Sequence, residues 1–436
     1  SILPASAPFW LYIFADILRR TLAANGYEVK QVINITDVGH LVGDGDDGQD
    51  KLEAGAAREG KTPAEVARFY EAAFKADITK LNIAEPTIWA RATEHIAEQI
   101  VMVEQLLTNG YAYETEQAVY FNVSKLADYP ALSGQALVDK RTAVRDEVVS
   151  DSAKHQPADF ALWFKLVGRH AKQAQHWPSP WGEGFPGWHI ECSAMSTKYL
   201  GVPFDLHTGG IDNIAVHHTN ERAQNIGVFG REPGEMVRWW LHSEFVVMGG
   251  GEKMAKSADN FITLQTLIDR GYDPLAHRYF CLGTHYRKQL LFGWEALDGA
   301  AQALKRLQAV MYQPAPPTNP TDQTDPDPVI LDRIHEALND DLNTAQALAA
   351  LWDLVGSNQP LAVKQATLRA SDAALGLGFS ELKPVMVPAA VQTLVGQREV
   401  ARQAKDFATA DALRQQILDA GFEVEDTADG YVVKPR

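Results

Sequence analysis

Cysteine is nearly absent: Cys192 and Cys281 are the only two in 436 residues. Two thiols cannot supply a disulfide framework for a chain this long, and free thiols fit a reducing compartment, so a cytoplasmic location is expected. Long apolar runs are also lacking. A membrane-crossing helix needs roughly 20 such residues, whereas Ile96–Leu107 is interrupted by Glu98 and Gln99 and Phe245–Met248 is short; a membrane role is excluded from the reading. The opening Ser1-Ile2-Leu3-Pro4 has neither the basic nor the apolar region of a secretory signal. There is no excess of positive charge, the net formal charge being -16, which argues against general nucleic-acid affinity built on counterion release. It leaves room for a local basic face, which Lys140-Arg141, His285-Tyr286-Arg287-Lys288 and Lys305-Arg306 can supply. No internal repeat is present. With 46% hydrophobic and 22% charged residues the composition is that of an ordinary soluble protein, and the length calls for about two to four domains.

Phe9–Ala24 carries apolar residues at helical spacing up to Gly26, and Glu28–Ile35 then alternates like a strand. The acidic, glycine-rich Gly43–Asp50 invites a calcium reading, but its order fails the EF-hand pattern and a solvated loop is expected. Thr62-Pro63-Ala64-Glu65 combines a capping box with proline at the first helical position and opens a helix to about Leu81. A further helix is expected from Thr93 to Thr108, then short strands such as Ala118–Val123. Gln313–Pro328 reads as a proline-stiffened linker. Beyond it lie Ala- and Leu-rich helices to Gly378, a break at Lys383–Pro388, one helical segment from Val391 to Ala420, and a hairpin-like tail, Phe422–Val433.

Three constellations can carry chemistry. His217 and Glu221 stand four apart, so on a helix they share a face and can join Cys192 on a metal ion. The same residues equally describe a buried thiol and an exposed helical pair, which spacing alone favours. In Lys253-Met254-Ala255-Lys256-Ser257, after Gly249-Gly250-Gly251, two lysines three apart on a glycine-hinged loop suit a polyphosphate or merely a solvated basic loop. In His207-Thr208-Gly209-Gly210-Ile211-Asp212, paired glycines after a strand fit either close approach to a ligand or a tight turn.

These residues, in order with Asn34-Ile35-Thr36-Asp37, Pro178-Ser179-Pro180-Trp181-Gly182, Gly187–Cys192 followed by Ser193-Ala194-Met195, and His217-His218-Thr219-Asn220-Glu221, resemble cysteinyl-tRNA synthetase, a class I aminoacyl-tRNA synthetase. Asn339–Thr344 is similar to that family's helical tRNA-binding domain, and Lys405–Asp411 with Leu413-Arg414 to its anticodon region. The resemblance implies a Zn2+ held by two cysteines, a histidine and a glutamate, carried here by Cys192, His217 and Glu221. It implies Thr36, Trp188 and Asp212 in the amino-acid pocket, Gly209, Gly210 and Lys256 at ATP, and Lys253 beside Lys256 in catalysis. The implied partners are L-cysteine, ATP with Mg2+, and tRNA(Cys), and a monomer is expected. Zinc prefers a thiolate to a hydroxyl, which would select cysteine over serine at the binding step.

The implied fold is α/β: a class I Rossmann-type parallel sheet with a small β-rich insertion, followed by C-terminal helical domains. Residues 1–110 form the first half of the catalytic domain, 111–175 the insertion and 176–245 the second half. Residues 246–312 are a connective region with the lysine loop, 313–328 the linker, 329–385 the helical tRNA-binding domain and 386–436 the anticodon region. Three departures stand out. Ala255 replaces the loop's usual serine, Thr219 replaces a common glutamate, and Ser1–Trp10 contain neither the family's first zinc cysteine nor its His-x-Gly-His signature. Ser1 is not a methionine, so these are expected upstream of it, loss of catalysis being the other reading. Rival functions are a cysteine ligase acting on an amino sugar, which would not need the anticodon region, and a non-catalytic paralogue that binds tRNA or cysteine.

Overall fold

Helix α1 (Trp10–Ala24) buries Trp10, Ile13, Phe14 and Ile17, spaced three and four apart, and ends where Gly26 takes φ +83°. The computed structural model describes residues 9–38, 53, 55–56, 59–134, 153–230, 236–249, 262–313, 324–384, 387–427 and 430–435. The loop Gly43–Asp50, the pair Lys140-Arg141, the lysine segment Lys253–Ser257 and most of the proline-rich linker lie outside the described residues.

After α1, strand β1 (Val32–Ile35) pairs in parallel with β2 (Ile88–Arg91), Val32 opposite Ile88. The strand is shorter than the alternation from Glu28 suggests, because only these four residues find a ladder partner. Between them α2 (Pro63–Lys80) starts on the expected capping box, with Thr62 accepting from the Glu65 amide and Glu65 from that of Thr62. Helix α3 (Ile96–Thr108) begins later than Thr93, since Ala92–His95 form a tighter 3-10 turn. The Asp37 carboxylate anchors that turn by accepting from the Thr93 amide at 2.9 Å and hydroxyl at 2.6 Å.

An antiparallel sheet follows in the order β3 (Ala112–Glu114), β4 (Ala118–Phe121), β5 (Phe160–Lys165), β6 (Gly184–Pro186). Strand β4 is buried throughout and β5 nearly so, which is why both read as unbroken apolar runs rather than alternation. The sheet draws its last strand from beyond residue 175. Helix α4 (Trp188–Leu200) leads to β7 (Phe204–Gly210), then a π-helical turn (Ile214–His218) and α5 (Thr219–Phe229). Strand β8 (Val237–Ser243) runs parallel to β7, placing Gly209 opposite His242. A short parallel pair, β9 (Val246–Met248) and β10 (Leu290–Phe292), flanks α6 (Leu264–Asp269) and α7 (Pro274–Leu282).

Helices α8 (Trp294–Tyr312), α9 (Pro328–Asn339), α10 (Thr344–Gly356) and α11 (Leu361–Leu375) share one apolar core with α1, through Ile13, Ile17, Leu304, Ile334, Leu351 and Leu368. Cys281 lies inside that core, fully buried, as its apolar helical setting suggests; burial pushes its thiol pKa far up. The expected single helix from Val391 is two: α12 (Ala389–Gln403) and α13 (Phe407–Asp419). The chain turns at Lys405, φ +60°, and Asp406 caps α13 by accepting from the Thr409 amide. The tail is a hairpin, β11 (Phe422–Thr427) with β12 (Gly430–Pro435), Val424 opposite Val433.

Candidate active site

A cavity of about 1080 Å³ opens between strands β1 and β7. It touches consecutive residues of β1 (Val32, Ile33, Asn34) and of β7 (Phe204 through Gly209). Successive strand residues point to opposite faces, so a space that meets every one of them meets the strand edge. Helix α1 lines it with Leu11, Tyr12, Ala15, Leu18 and Leu22, and α4 with Trp188, Cys192, Met195 and Tyr199, each set on one helical stripe.

At the carboxyl end of β7 the expected metal trio comes together. Cys192, His217 and Glu221 are buried, and their candidate ligand atoms all lie within 4.8 Å of one another. His217 Nε2 is 3.0 Å from Glu221 Oε1, a consequence of the four-residue spacing across the π-turn into α5. His207 Nε2 approaches the same oxygen at 3.5 Å. These contacts are close in distance yet poorly directed: neither carboxylate oxygen of the fully buried Glu221 finds a properly aligned hydrogen bond among the described residues. Burial alone would raise the Glu221 pKa, but His207 and His217 outweigh it and hold the carboxyl well below its usual range. Burial, then the charges of Glu221 and Glu191, push the Cys192 thiol well up. A buried carboxylate with unspent acceptors, a thiol and an imidazole converging on one point fit a zinc ion.

The histidines extend further than the sequence pattern shows. His207, His218 and Glu221 form a second convergent group that shares Glu221 with the first. His189 Nδ1 lies 2.9 Å from His217 Nδ1, and His218 Nδ1 2.8 Å from His242 Nε2. Burial, with a contribution from His207, depresses His242 to about 4. His207 heads the glycine motif seen in the sequence, but its approach to Glu221 is set by the tertiary fold and has no local signal; His242 escapes the sequence reading because the β7–β8 register that sets it opposite Gly209, beside His218, is non-local.

The paired glycines have a reason of their own. A Cβ on Gly209 would stand 2.4 Å from His218 Cε1, and one on Gly210 2.5 Å from Asp212 Oδ1. The close approach they permit is therefore by the protein's own side chains. Thr36, Trp188, Cys192, Gly209 and His217 line the cavity together. The Trp188 and His217 rings are 4.4 Å apart, and Asn34 donates to the Thr36 hydroxyl at 3.3 Å. Asp212 sits two residues past Gly210 on the turn into the π-helix. Lys253 and Lys256 lie outside the described residues.

Comparison with known proteins shows the family. Residues 10–302 match the family described as tRNA synthetases class I (C) catalytic domain, 333–379 the DALR domain, and 386–432 the cysteinyl-tRNA ligase anticodon binding domain. Cysteine–tRNA ligase 1 of Burkholderia lata is 47% identical over 421 residues, covering 96% of this chain and 87% of its own. Cysteine–tRNA ligase of Novosphingobium aromaticivorans is 42% identical, covering 95% and 86%. Among solved structures, Mycobacterium tuberculosis methionyl-tRNA synthetase bound by methionyl-adenylate superposes with TM-score 0.58 at 16% identity, covering 87% of this chain and 90% of that one. It shares the fold. With its catalytic domain, its DALR helices and its anticodon domain all matched in order, the chain belongs to the class I cysteine–tRNA ligase family.

Proposed function

We propose that the protein activates L-cysteine with ATP to cysteinyl-adenylate and transfers it to tRNA(Cys). The observation that carries this reading is the convergence of Cys192, His217 and Glu221, the first two lining one cavity with Thr36 and Trp188. Cys192, His217 and Glu221 would hold Zn2+. When bound, the ion favours a thiolate over a hydroxyl and so separates cysteine from serine at the binding step. Trp188 walls the pocket and Thr36 lines it. The Asp212 carboxylate pairs with the substrate's α-ammonium. Gly209, on the cavity wall, and Gly210 beside it present backbone to the nucleotide, and Lys256, aided by Lys253, neutralises the charge of the departing pyrophosphate, with Mg2+ accompanying ATP. The anticodon-domain match over residues 386–432 favours tRNA over an amino-sugar acceptor. No helix among the described residues is long and apolar enough to cross a membrane, and the two free thiols fit a reducing cytoplasm.

Cysteine-dependent exchange of pyrophosphate into ATP by the full-length protein, followed by charging of tRNA(Cys), tests the reading. Exchange that does not depend on cysteine, or activation without charging, would contradict it.

A further inference from the structure

The turn Asn339–Thr344 joins α9 to α10 in an unusual backbone conformation. Asp341 and Leu342, consecutive and neither a glycine, both take left-handed φ values, 53° and 56°. Such angles are disfavoured for L-residues, most of all for leucine, and persist only where the surroundings impose them. One restraint is local: Leu342 is buried, and the Asn343 amide donates to Ala337 O. The other comes from the catalytic body. The Asp341 carboxylate accepts from Tyr286 Oη at 2.6 Å and from Arg287 Nε at 2.7 Å and Nη2 at 3.2 Å.

The gripped segment is itself tied inward. Tyr286 is buried with its ring stacked on Phe14 of α1 at 4.4 Å, and its carbonyl accepts from the Glu244 amide. Four residues on, the Leu290 amide donates to Phe245 O and β10 pairs with β9. Strand β9 ends at Met248, directly before the glycines that precede Lys253. A continuous line of hydrogen bonds thus runs from the strained turn of the helical domain to the strand entering the lysine segment.

We propose that Asp341 is a positioning residue for ATP activation: through Tyr286 and Arg287 it sets the β9–β10 pair relative to the DALR helices. The proposal rests on the reading that Lys256 serves ATP. Holding a strand is a matter of placement, and misplacement of reacting groups by about 1 Å lowers rates by up to roughly a hundredfold. Asp341→Ala and Arg287→Ala should each lower kcat of pyrophosphate exchange by about tenfold or more. The KM for cysteine and the zinc content should stay unchanged. The double variant should be no worse than either single one, because both remove the same link. A merely structural turn would lower the melting temperature and leave kcat per folded molecule intact. Should Asp341→Ala fail to fold, Tyr286→Phe, which drops one hydrogen bond and keeps the ring on Phe14, carries the test. Lys256→Ala is assayed alongside. Wild-type exchange by folded Asp341→Ala or Tyr286→Phe beside an inactive Lys256→Ala, or additive losses in the double variant, overturns the proposal. Wild-type exchange by Lys256→Ala overturns the underlying reading, and the proposal with it.

Discussion

Glu221 decides the character of the candidate site. A fully buried carboxylate without an aligned hydrogen bond among the described residues is costly to keep, and His207 and His217 keep it charged. Cys192→Ser should strip zinc and raise the KM for cysteine sharply; elemental analysis showing unchanged metal would refute the ligand assignment. Lys256→Ala should depress adenylate formation far more than cysteine binding, and equal losses measured by exchange kinetics and equilibrium binding would contradict its phosphate role. The trio was partly legible in the sequence, because a four-residue spacing needs only local helix geometry. Even so, His217 sits in a π-turn rather than an α-helix. His207 approaches Glu221, and His242 approaches His218, through tertiary contacts that no local pattern carries.

Elements with local causes read well from sequence. The Thr62–Glu65 box, the Gly26 stop and strand β4, paired with the adjacent β3, all rest on neighbours in the chain. The break between α12 and α13 did not read as clearly, because Lys405 and Asp406 look helical until the Asp406 cap and the left-handed Lys405 are seen together. The C-terminal hairpin is tied to α12 by Arg398, whose guanidinium donates two bonds, 2.8 and 2.7 Å, to the Asp426 carboxylate, with Arg402 joining it. The Arg398 hydrogen bonds hold Asp426 below its ordinary pKa. Asp426 is the lowered group, so its contribution is present above the ordinary carboxylate value near 4 and lost as pH falls below it. Hydrogen exchange of the β11 amides should therefore speed up between about pH 5 and pH 3 beyond the intrinsic trend. Asp426→Asn should be weakened at all pH and lack that step; an unchanged profile would rule out the tie.

Across the whole molecule, the catalytic body and the helical domain share a core that has a charge at its centre. Arg278 is fully buried and donates to Asp16 at 2.5 Å, to the carbonyls of Leu81 and Asn82, and to Leu375 O at the end of α11. Gly376, at φ +65°, leaves the room: a Cβ there would stand 2.6 Å from Arg278 Nη2. Asp16→Ala would strand this buried guanidinium and should destabilise the protein by about 3–5 kcal/mol. A denaturant titration checks it, and a loss below about 1 kcal/mol, the scale of an exposed pair, would contradict the assignment. The Asp16–Arg278 union was invisible in sequence, since the two residues stand on helices far apart in the chain. The order of catalytic, helical and anticodon regions was visible, because each carries its own run of motifs. The central claim is that one cavity, lined by Cys192, His217, Thr36 and Trp188 with Glu221 buried behind the first two, activates cysteine. Pyrophosphate exchange by the full-length protein, with cysteine and serine compared side by side, tests it most directly. The account predicts exchange with cysteine, little with serine, and loss of the cysteine signal in Cys192→Ser; no exchange from a protein that still binds zinc and tRNA would contradict it.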